Sequence, residues 1–408
     1  MLGITLSDII MKNKLFLSTL LAACITCVAQ AAEQPDVYHV ASGNKTVNGD
    51  LTTNHFRIEA GSNSTVKVSG TTTIESNIQE GNYYACYMGM NTRLESGSVV
   101  FKSSTNHYPK AFTVLGTIQT DTFKAEAADG YSAEINFTSG GKLESTSSEK
   151  GTFEVGKNVV VNVGNPSKSA AGYIKNMNTV IDGGTLNVNY YAEMDGISLK
   201  NGGSAIINNV PDGKFGPVDS PINLGDINVE NGSLYLHEAA ISSDITMESG
   251  TLQFLGECQT GAVTLNGGSI YFGDNTTPLA MDALALNDEV ATVTTGALTL
   301  NSGAIYIADN YIIDLGGEDL IIRDNVAVTM SVNSLDDIDG VTLFKTTGNV
   351  EGLDNLSVTF VDATGAEKEM GVSYNSDGSV VTSSIPEPTT ATLSLLALAG
   401  LAARRRRR

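Results

Sequence analysis

The sequence has no tryptophan, nine prolines and four histidines among its 408 residues. The lack of tryptophan, together with 42 glycines, predicts many short strands and turns instead of one large aromatic core. Nine prolines are too few for a disordered, proline-rich stalk. The histidines lie far from one another and none has the spacing of a metal ligand; they are His39, His55, His107 and His237.

Sequence motifs of catalysis are also missing. There is no Gly-x-Ser-x-Gly elbow, no His-Glu-x-x-His helix and no phosphate-binding loop. Residues 336–340, Asp-Asp-Ile-Asp-Gly, resemble part of a calcium loop, but the rest of the ligand set is absent and an acidic surface turn fits better. We therefore expect a protein that is not an enzyme, with no catalytic residue, no cofactor and no metal site.

Four cysteines divide into two groups. Cys24 and Cys27 lie in an apolar N-terminal segment, whereas Cys86 and Cys258 are 172 residues apart. In a linear repeat fold such a separation places them many layers from each other, so we expect two unpaired thiols. The alternative is a Cys86–Cys258 disulfide, which an envelope location would permit.

The N-terminal segment has the features of a secretory signal peptide. Residues 11–14 form a positively charged region, residues 15–28 are apolar, and Ala29 and Ala31 form a small-x-small cleavage site. We expect a signal peptide over residues 1–31, translated from Met11, and a mature chain that starts near Ala32. The alternative is a lipoprotein signal, since residues 21–24 read Leu-Ala-Ala-Cys and would place a lipid on Cys24.

The C-terminal segment combines three ordered parts. The first part is Pro386, Glu387 and Pro388, whose two prolines disfavour helix immediately upstream. Residues 391–403 are an apolar stretch, shorter than the ~20 residues of a complete membrane span. Five positive charges that would stay on the cytoplasmic side end the chain: Arg404, Arg405, Arg406, Arg407 and Arg408.

This tail, residues 384–408, resembles the PEP-CTERM sorting signal of bacterial surface proteins. The resemblance implies that signal peptidase and the general secretion machinery export the chain, that the tail anchors it briefly in the inner membrane, and that an exosortase-like enzyme sorts it. The Pro-Glu-Pro and the arginines would serve recognition, not catalysis. The cargo would then reach the cell envelope, the cell surface or the extracellular matrix, with exopolysaccharide or host glycans as partners. The alternative is a plain C-terminal membrane anchor.

The cargo between the two ends is strongly acidic. Once Lys12, Lys14 and the five terminal arginines are removed, 17 of the 24 basic residues remain, and without Asp8 and Glu387, 43 of the 45 acidic residues remain. The resulting net charge of −26 repels phosphate groups and anionic lipid. We expect no nucleic acid partner.

Four gap-free repeats lie in the cargo, with aligned glycines at Gly232, Gly250, Gly268 and Gly303. In each, apolar residues alternate with polar ones on both sides of the glycine, which predicts strand, tight turn, strand. The polar positions are expected to face solvent; they include Thr246, Gln253, Thr264, Tyr271, Thr299 and Tyr306. Weaker copies upstream contain Gly97, Gly184 and Gly202.

The first two repeat intervals are 18 residues, a length that suits one coil of a parallel β-helix. The repeats also resemble the passenger strands of autotransporter-type surface proteins, although no C-terminal β-barrel translocator follows. We expect an all-β fold with a parallel β-helix (β-solenoid) over residues 32–309 and a small β-rich cap over residues 310–383. The alternative is an antiparallel β-sandwich array.

Together these features predict an exported, non-enzymatic cell-surface or extracellular-matrix protein that serves as a structural spacer or adhesin. The alternative is a secreted β-helix enzyme acting on glycans, a polysaccharide lyase or a glycoside hydrolase. A lyase is disfavoured because only Arg57, Arg93 and Arg323 supply arginine to the cargo. A hydrolase would need two carboxylates on neighbouring coils, which sequence alone does not identify.

Deleting Arg404–Arg408 should increase release of the protein or mislocalise it. The reason is that the five positive charges stay on the cytoplasmic side of the membrane and so keep the apolar stretch in the bilayer. Cell fractionation measures the change. Replacing the five arginines with lysines keeps the charge and should preserve the wild-type distribution. A deletion variant found where the wild type sits would contradict the sorting hypothesis.

Overall fold

The computed structural model describes residues 37–59, Gly61, 63–76, 86–103, 111–164, 171–189, 192–208, 222–273, 290–336 and 338–384. The described chain is almost entirely β, with one 3-10 turn at Leu353–Asn355. The strands, numbered in chain order, are β1 Val37–Val40, β2 Lys45–Val47, β3 Leu51–Thr53, β4 His55–Ile58, β5 Thr65–Ser76, β6 Cys86–Met88, β7 Arg93–Ser103, β8 Ala111–Val114, β9 Thr117–Gln119, β10 Thr122–Ala127, β11 Ala133–Phe137, β12 Gly141–Glu144, β13 Gly151–Val155, β14 Val159–Val163, β15 Gly172–Lys175, β16 Met177–Asp182, β17 Thr185–Val188, β18 Glu193–Met194, β19 Ile197–Lys200, β20 Ser204–Asn208, β21 Ile227–His237, β22 Ile245–Leu255, β23 Cys258–Gln259, β24 Val263–Leu265, β25 Ser269–Phe272, β26 Ala291–Thr294, β27 Leu298–Leu300, β28 Gly303–Ile307, β29 Tyr311–Asp314, β30 Leu320–Ile322, β31 Val326–Val332, β32 Thr342–Lys345, β33 Val350–Glu351, β34 Leu356–Asp362, β35 Glu367–Tyr374 and β36 Ser379–Ser383.

These strands pair in three parallel ladders. Ladder 1 contains β1, β4, β6, β8, β11, β14, β17, β20, the second halves of β21 and β22, and then β25, β28, β31 and β34. Ladder 2 contains β2, the first halves of β5 and β7, β9, β12, β15 and β18, then isolated bridges at Ile222–Ile241 and Ala240–Gln259, and then β23, β26, β29 and β32. Ladder 3 contains β3, the second halves of β5 and β7, β10, β13, β16, β19, the first halves of β21 and β22, β24, β27, β30 and β33.

The chain passes through ladders 1, 2 and 3 in that order and then returns to ladder 1; one such pass is called a coil below. In the part of the chain that the structure describes, thirteen coils precede β34. The all-β prediction is confirmed, and the cyclic order of parallel ladders is compatible with the predicted β-solenoid. The predicted signal peptide, membrane helix and sorting tail lie outside the described residues.

The core is one continuous cluster formed by alternate side chains of all three ladders. In ladder 1 the inward side chains stack directly on their counterparts in the next coil, as Leu234, Leu252, Ile270 and Ile305 do. Phe254 and Phe272 stack with their ring centroids 4.9 Å apart and their planes 6° from parallel. A single coil has no partner for its apolar side chains, so burial depends on the neighbouring coils.

The repeat glycines form a column of their own, which lies at the corner where ladder 3 leads into ladder 1. Gly250 lies beside Gly232 in the ladder and has a φ of +100°. A methyl carbon built onto Gly250 would lie 2.2 Å from the carbonyl oxygen of Gly232, so the corner requires glycine for both its backbone conformation and its close packing. Gly268 and Gly303 continue the column with φ of +90° and +118°.

One upstream glycine was assigned to the wrong position from sequence. Gly203, not the predicted Gly202, belongs to the column, because Ser204 pairs with Thr185 on one side and with Ser233 on the other. Gly202 has a positive φ in the preceding turn and an added methyl group there would meet no atom within 4 Å. The two adjacent glycines look alike in sequence, and only the register separates their roles.

Coil length varies along the chain, as the repeat intervals of 18 and 35 residues indicate. Leu234, Leu252 and Ile270 follow one another at the predicted 18-residue interval, whereas Ile270 and its partner Ile305 are 35 residues apart. Ile135 and Val161, also stacked, are 26 residues apart. The additional residues enter at corners between ladders, and the strand register is preserved across them.

The predicted boundary between solenoid and cap, at residue 310, is wrong. Parallel pairing continues through β29, β30, β31 and β34, and only β35 and β36 pair antiparallel, with β34 and β32. The glycine motif ends at Gly303, but the alternation of buried and outward residues continues, as in β31. The closing element is therefore a hairpin over residues 367–383, which pairs with two of the last parallel strands.

Replacing Gly250 with alanine should lower the free energy of unfolding by roughly 3 kcal/mol, because the change adds a steric clash to an unfavourable φ. Gly202→Ala introduces the unfavourable φ without a clash and should cost roughly 1–2 kcal/mol. Urea unfolding followed by circular dichroism measures both. Equal effects of the two substitutions would contradict the close packing of the glycine column.

Candidate binding surfaces

The sorting and cleavage residues predicted from sequence cannot be placed in the fold. Ala29, Ala31, Pro386, Glu387, Pro388 and Arg404–Arg408 all lie outside the described residues. Within the described ranges, no helix is both long and apolar enough to cross a membrane.

Among the histidines and the acidic turn, contacts are seen for His39 and Asp339, and His107 lies outside the described residues. The Nε2 atom of His39 lies 3.1 Å from Glu59 Oε1, and His237 is exposed at the end of β21. Burial, followed by the nearby Arg57 and His39, lowers the pKa of His55. Asp339 accepts a hydrogen bond from the backbone N–H of Ser384 at 2.9 Å. Across the part of the chain that the structure describes, no three His, Cys, Asp or Glu side chains are grouped to hold a metal ion.

Cys86 and Cys258 are unpaired, as predicted, and both are buried. Cys86 lies in ladder 1, stacked between Phe56 and Phe112, and Cys258 lies in ladder 2. Burial raises the pKa of each thiol to about 11. Both side chains therefore act as small apolar residues of the core, since the reactive thiolate is disfavoured.

A charged groove of about 800 Å³ lies where several ladder 3 strands end. Its charged lining residues are Lys102, Lys124, Glu126, Glu154, Lys157 and Asp182. Lys124 Nζ lies 2.6 Å from Glu126 Oε1 and 3.4 Å from Glu154 Oε1, and the hydrogen bond to Glu126 is the main cause that raises the pKa of Lys124. Positive and negative side chains are equal in number here, so the groove has little net attraction for an ion of either sign.

Two of the three carboxylates of this groove are held in ion pairs, and the third, Asp182, accepts a hydrogen bond from Asn201. Glu126 and Glu154, on neighbouring coils, both contact the same lysine. A glycoside hydrolase needs one carboxyl group that stays protonated as a general acid and a second that acts as base or nucleophile. The contacts of Glu126 and Glu154 are those of a structural Lys–Glu network that joins adjacent coils.

The outer surface of ladder 1 has a different character. From β14 to β31, across eight consecutive strands, its outward positions include no Asp, Glu, Lys or Arg; we call this surface the neutral face. Its residues are Val160, Asn162, Thr185, Asn187, Ser204, Ile206, Asn208, Ser233, Tyr235, His237, Thr251, Gln253, Leu255, Ser269, Tyr271, Ala304, Tyr306, Ala327, Thr329 and Ser331. Glu134 of β11 marks one end of the face, and the charged strand β35 lies beyond the other.

Side chains on the neutral face bond to one another along the stack. Asn187 donates a hydrogen bond to Asn162 Oδ1 at 2.7 Å, and Asn162 donates one to Asn136 Oδ1 at 2.7 Å. Farther along, the rings of Tyr271 and Tyr306 stack with centroids 4.6 Å apart and planes 9° from parallel. Like side chains thus contact one another within a column, as asparagine and aromatic side chains do in other in-register parallel stacks.

The alternation of apolar and polar residues predicts an outward direction for Gln253, Tyr271 and Tyr306, and the structure confirms it. The sequence does not show that the neutral positions share one face, because assigning a strand to a ladder needs the register. A signal was present in the repeats: two residues before the glycine, Glu230 and Glu248 carry charge, while three residues after it no charge occurs.

Comparisons with known proteins add no identity: no family model matches this chain, and no curated protein matches it.

At pH 8, a thiol reagent should leave Cys86 and Cys258 of the folded protein unmodified and should label both after denaturation, because burial raises each pKa to about 11. The measurement uses a chain with Cys24 and Cys27 replaced by serine, so that only these two thiols report. Gln259→Cys, at the exposed neighbour of Cys258, should react in the folded state. Rapid labelling of either native thiol would contradict its place in the core.

Proposed function

We propose that this chain is an exported, non-enzymatic protein of the cell surface or extracellular matrix, whose β-solenoid serves as a rigid spacer or adhesin. The observation that carries the proposal is the ordered C-terminal triplet of Pro-Glu-Pro, apolar stretch and five arginines, together with the signal-peptide pattern at the other end. An exosortase-like enzyme, reached through signal peptidase and general secretion, would recognise Pro386, Glu387 and Pro388.

The fold supports a spacer role through its length and its continuous core. Thirteen coils at about 4.8 Å each would extend about 60 Å along the stack. Each coil buries its apolar side chains against its neighbours, so bending the stack would expose core surface. Exopolysaccharide or host glycans remain the partners that the sorting resemblance suggests for such a spacer.

The acidic surface supports an extracellular setting by keeping the stack soluble and apart from other anionic polymers. Ion pairs join neighbouring coils on the two charged ladders, such as Lys175–Glu193 at 2.5 Å and Lys200–Glu230 at 3.2 Å. These lysines and glutamates are engaged with each other, in keeping with a structural use of the charged residues.

Mass spectrometry of the protein recovered from the producing cells should find an N-terminus near Ala32 and a C-terminus near Pro386–Pro388, because both ends would be removed during export and sorting. A Glu387→Ala variant should keep the processed N-terminus but retain its C-terminal arginines. Glu367→Ala, an exposed acidic residue of β35, is the matched control and should be processed as wild type.

Two results would contradict the proposal. One is a full-length chain found soluble in the cytosol with both ends intact. The other is turnover of a glycan by the purified protein that is lost in Glu154→Gln, which would favour the glycan-active enzyme instead.

A further inference from the structure

The neutral face is unusual because the rest of the molecule is so highly charged. Ladder 2 presents Lys142, Glu144 and Lys175 outward, and ladder 3 presents Lys124 and Glu154. With a net charge of −21 for the whole chain, two copies repel each other at most orientations. On the neutral face they can approach without bringing ionised side chains together.

The chemistry of this face is that of a protein–protein contact. Interface cores are depleted of charged residues and enriched in tyrosine, and Tyr, Ser and Asn dominate many adaptable binding surfaces. The central column of the face contains Ile206, Tyr235, Gln253, Tyr271 and Tyr306 on successive coils. Ile206 is 38 % exposed, one of few large apolar side chains on the described surface to be so exposed.

The orientation of the tyrosine rings distinguishes between two kinds of occupant. Tyr271 and Tyr306 are nearly parallel and separated by about one strand spacing, so each covers a face of the other along the stack. A sugar that stacks on an aromatic ring needs an open ring face, and the mutual contact covers one face of each ring. The arrangement therefore favours a protein surface over a stacked sugar as the occupant.

The size of the face is sufficient for a dimer. Eight strands spaced by about 4.8 Å give a length of about 38 Å, and five residues at about 3.3 Å give a width of about 16 Å. Each copy would bury about 600 Å², and the pair about 1,200 Å², which reaches the lower limit of standard specific interfaces.

We propose that the neutral face binds the neutral face of a second copy of this chain, sheet against sheet, in a two-fold symmetric dimer. Two-fold symmetry places the central column of one copy against that of its partner. The proposal depends on the fold and not on the sorting tail, so it can fail or succeed independently of the proposed function.

The test introduces one charged residue at a time, at either of two matched positions of the same strand, and compares the effects on dimerisation. Gln253 and Thr246 both lie in β22 and both are half-buried and outward, but Gln253 is on the neutral face and Thr246 is on ladder 3. Light scattering with size-exclusion chromatography and sedimentation, over a dilution series of the full-length protein in mild detergent, measures the mass. The wild type should have twice its monomer mass of 42.8 kDa.

Gln253→Lys and Gln253→Glu should each weaken dimerisation by about 100-fold or more, because the two-fold axis would bring like charges together in a desolvated contact. Thr246→Lys and Thr246→Glu should leave the dissociation constant unchanged. The glutamate variant nearly preserves the shape of glutamine, and circular dichroism verifies that each variant is folded. If the copies associated through their apolar terminal segments instead, substitutions at Gln253 and at Thr246 would have the same effect on the dissociation constant.

A wild type that is monomeric at every concentration would overturn the proposal. So would a dimer that tolerates both substitutions at Gln253, or one that Thr246 substitutions weaken equally. A monomer that instead binds a soluble uncharged glucan, and loses that binding in Gln253→Lys, would assign the face to a neutral glycan and likewise overturn it.

Discussion

Parallel, in-register stacking is the constraint from which the other features of this protein follow. Each side chain lies about 4.8 Å from the side chain at the same position of the next coil. The side chains of one column must therefore be able to pack against one another at that distance. Inside, leucine stacks on leucine and Phe254 on Phe272. At one corner glycine stacks on glycine, and outside asparagine bonds to asparagine and tyrosine stacks on tyrosine.

Charged residues meet the same constraint by alternating in sign. A column of identical charges would be repulsive, and on ladders 2 and 3 lysine instead lies beside glutamate of the next coil, as in Lys67–Glu95 and Lys124–Glu154. Such pairs are largely exposed and each contributes little to stability. They also favour the observed register, because a two-residue slip of β15 against β12 would place Lys175 beside Lys142 instead of Glu144. Ladder 1 meets the constraint by having no charge over eight strands.

The sequence allowed the local pattern to be predicted, because alternation and glycine position are properties of neighbouring residues. Strand, corner and strand around Gly232 and Gly250 follow directly, as does the outward direction of Tyr271.

The number of ladders does not follow, since it depends on which strands pair across 18 to 35 residues. Gly202 and Gly203 could not be told apart for the same reason, and the parallel stack was ended too early because β29 to β34 keep the alternation without the glycine. The neutral face was missed because it is a property of register and not of any single repeat.

The closing hairpin also sets how such a molecule can change in length. Because β35 and β36 run antiparallel to the strands that they cover, no further coil can be added at that end while the hairpin is in place. A longer descendant would have to gain its coils elsewhere, for example by duplication of a segment between two equivalent corners. The units around Gly232, Gly250, Gly268 and Gly303, which share the glycine and the apolar alternation around it, are the pattern that such a duplication would leave.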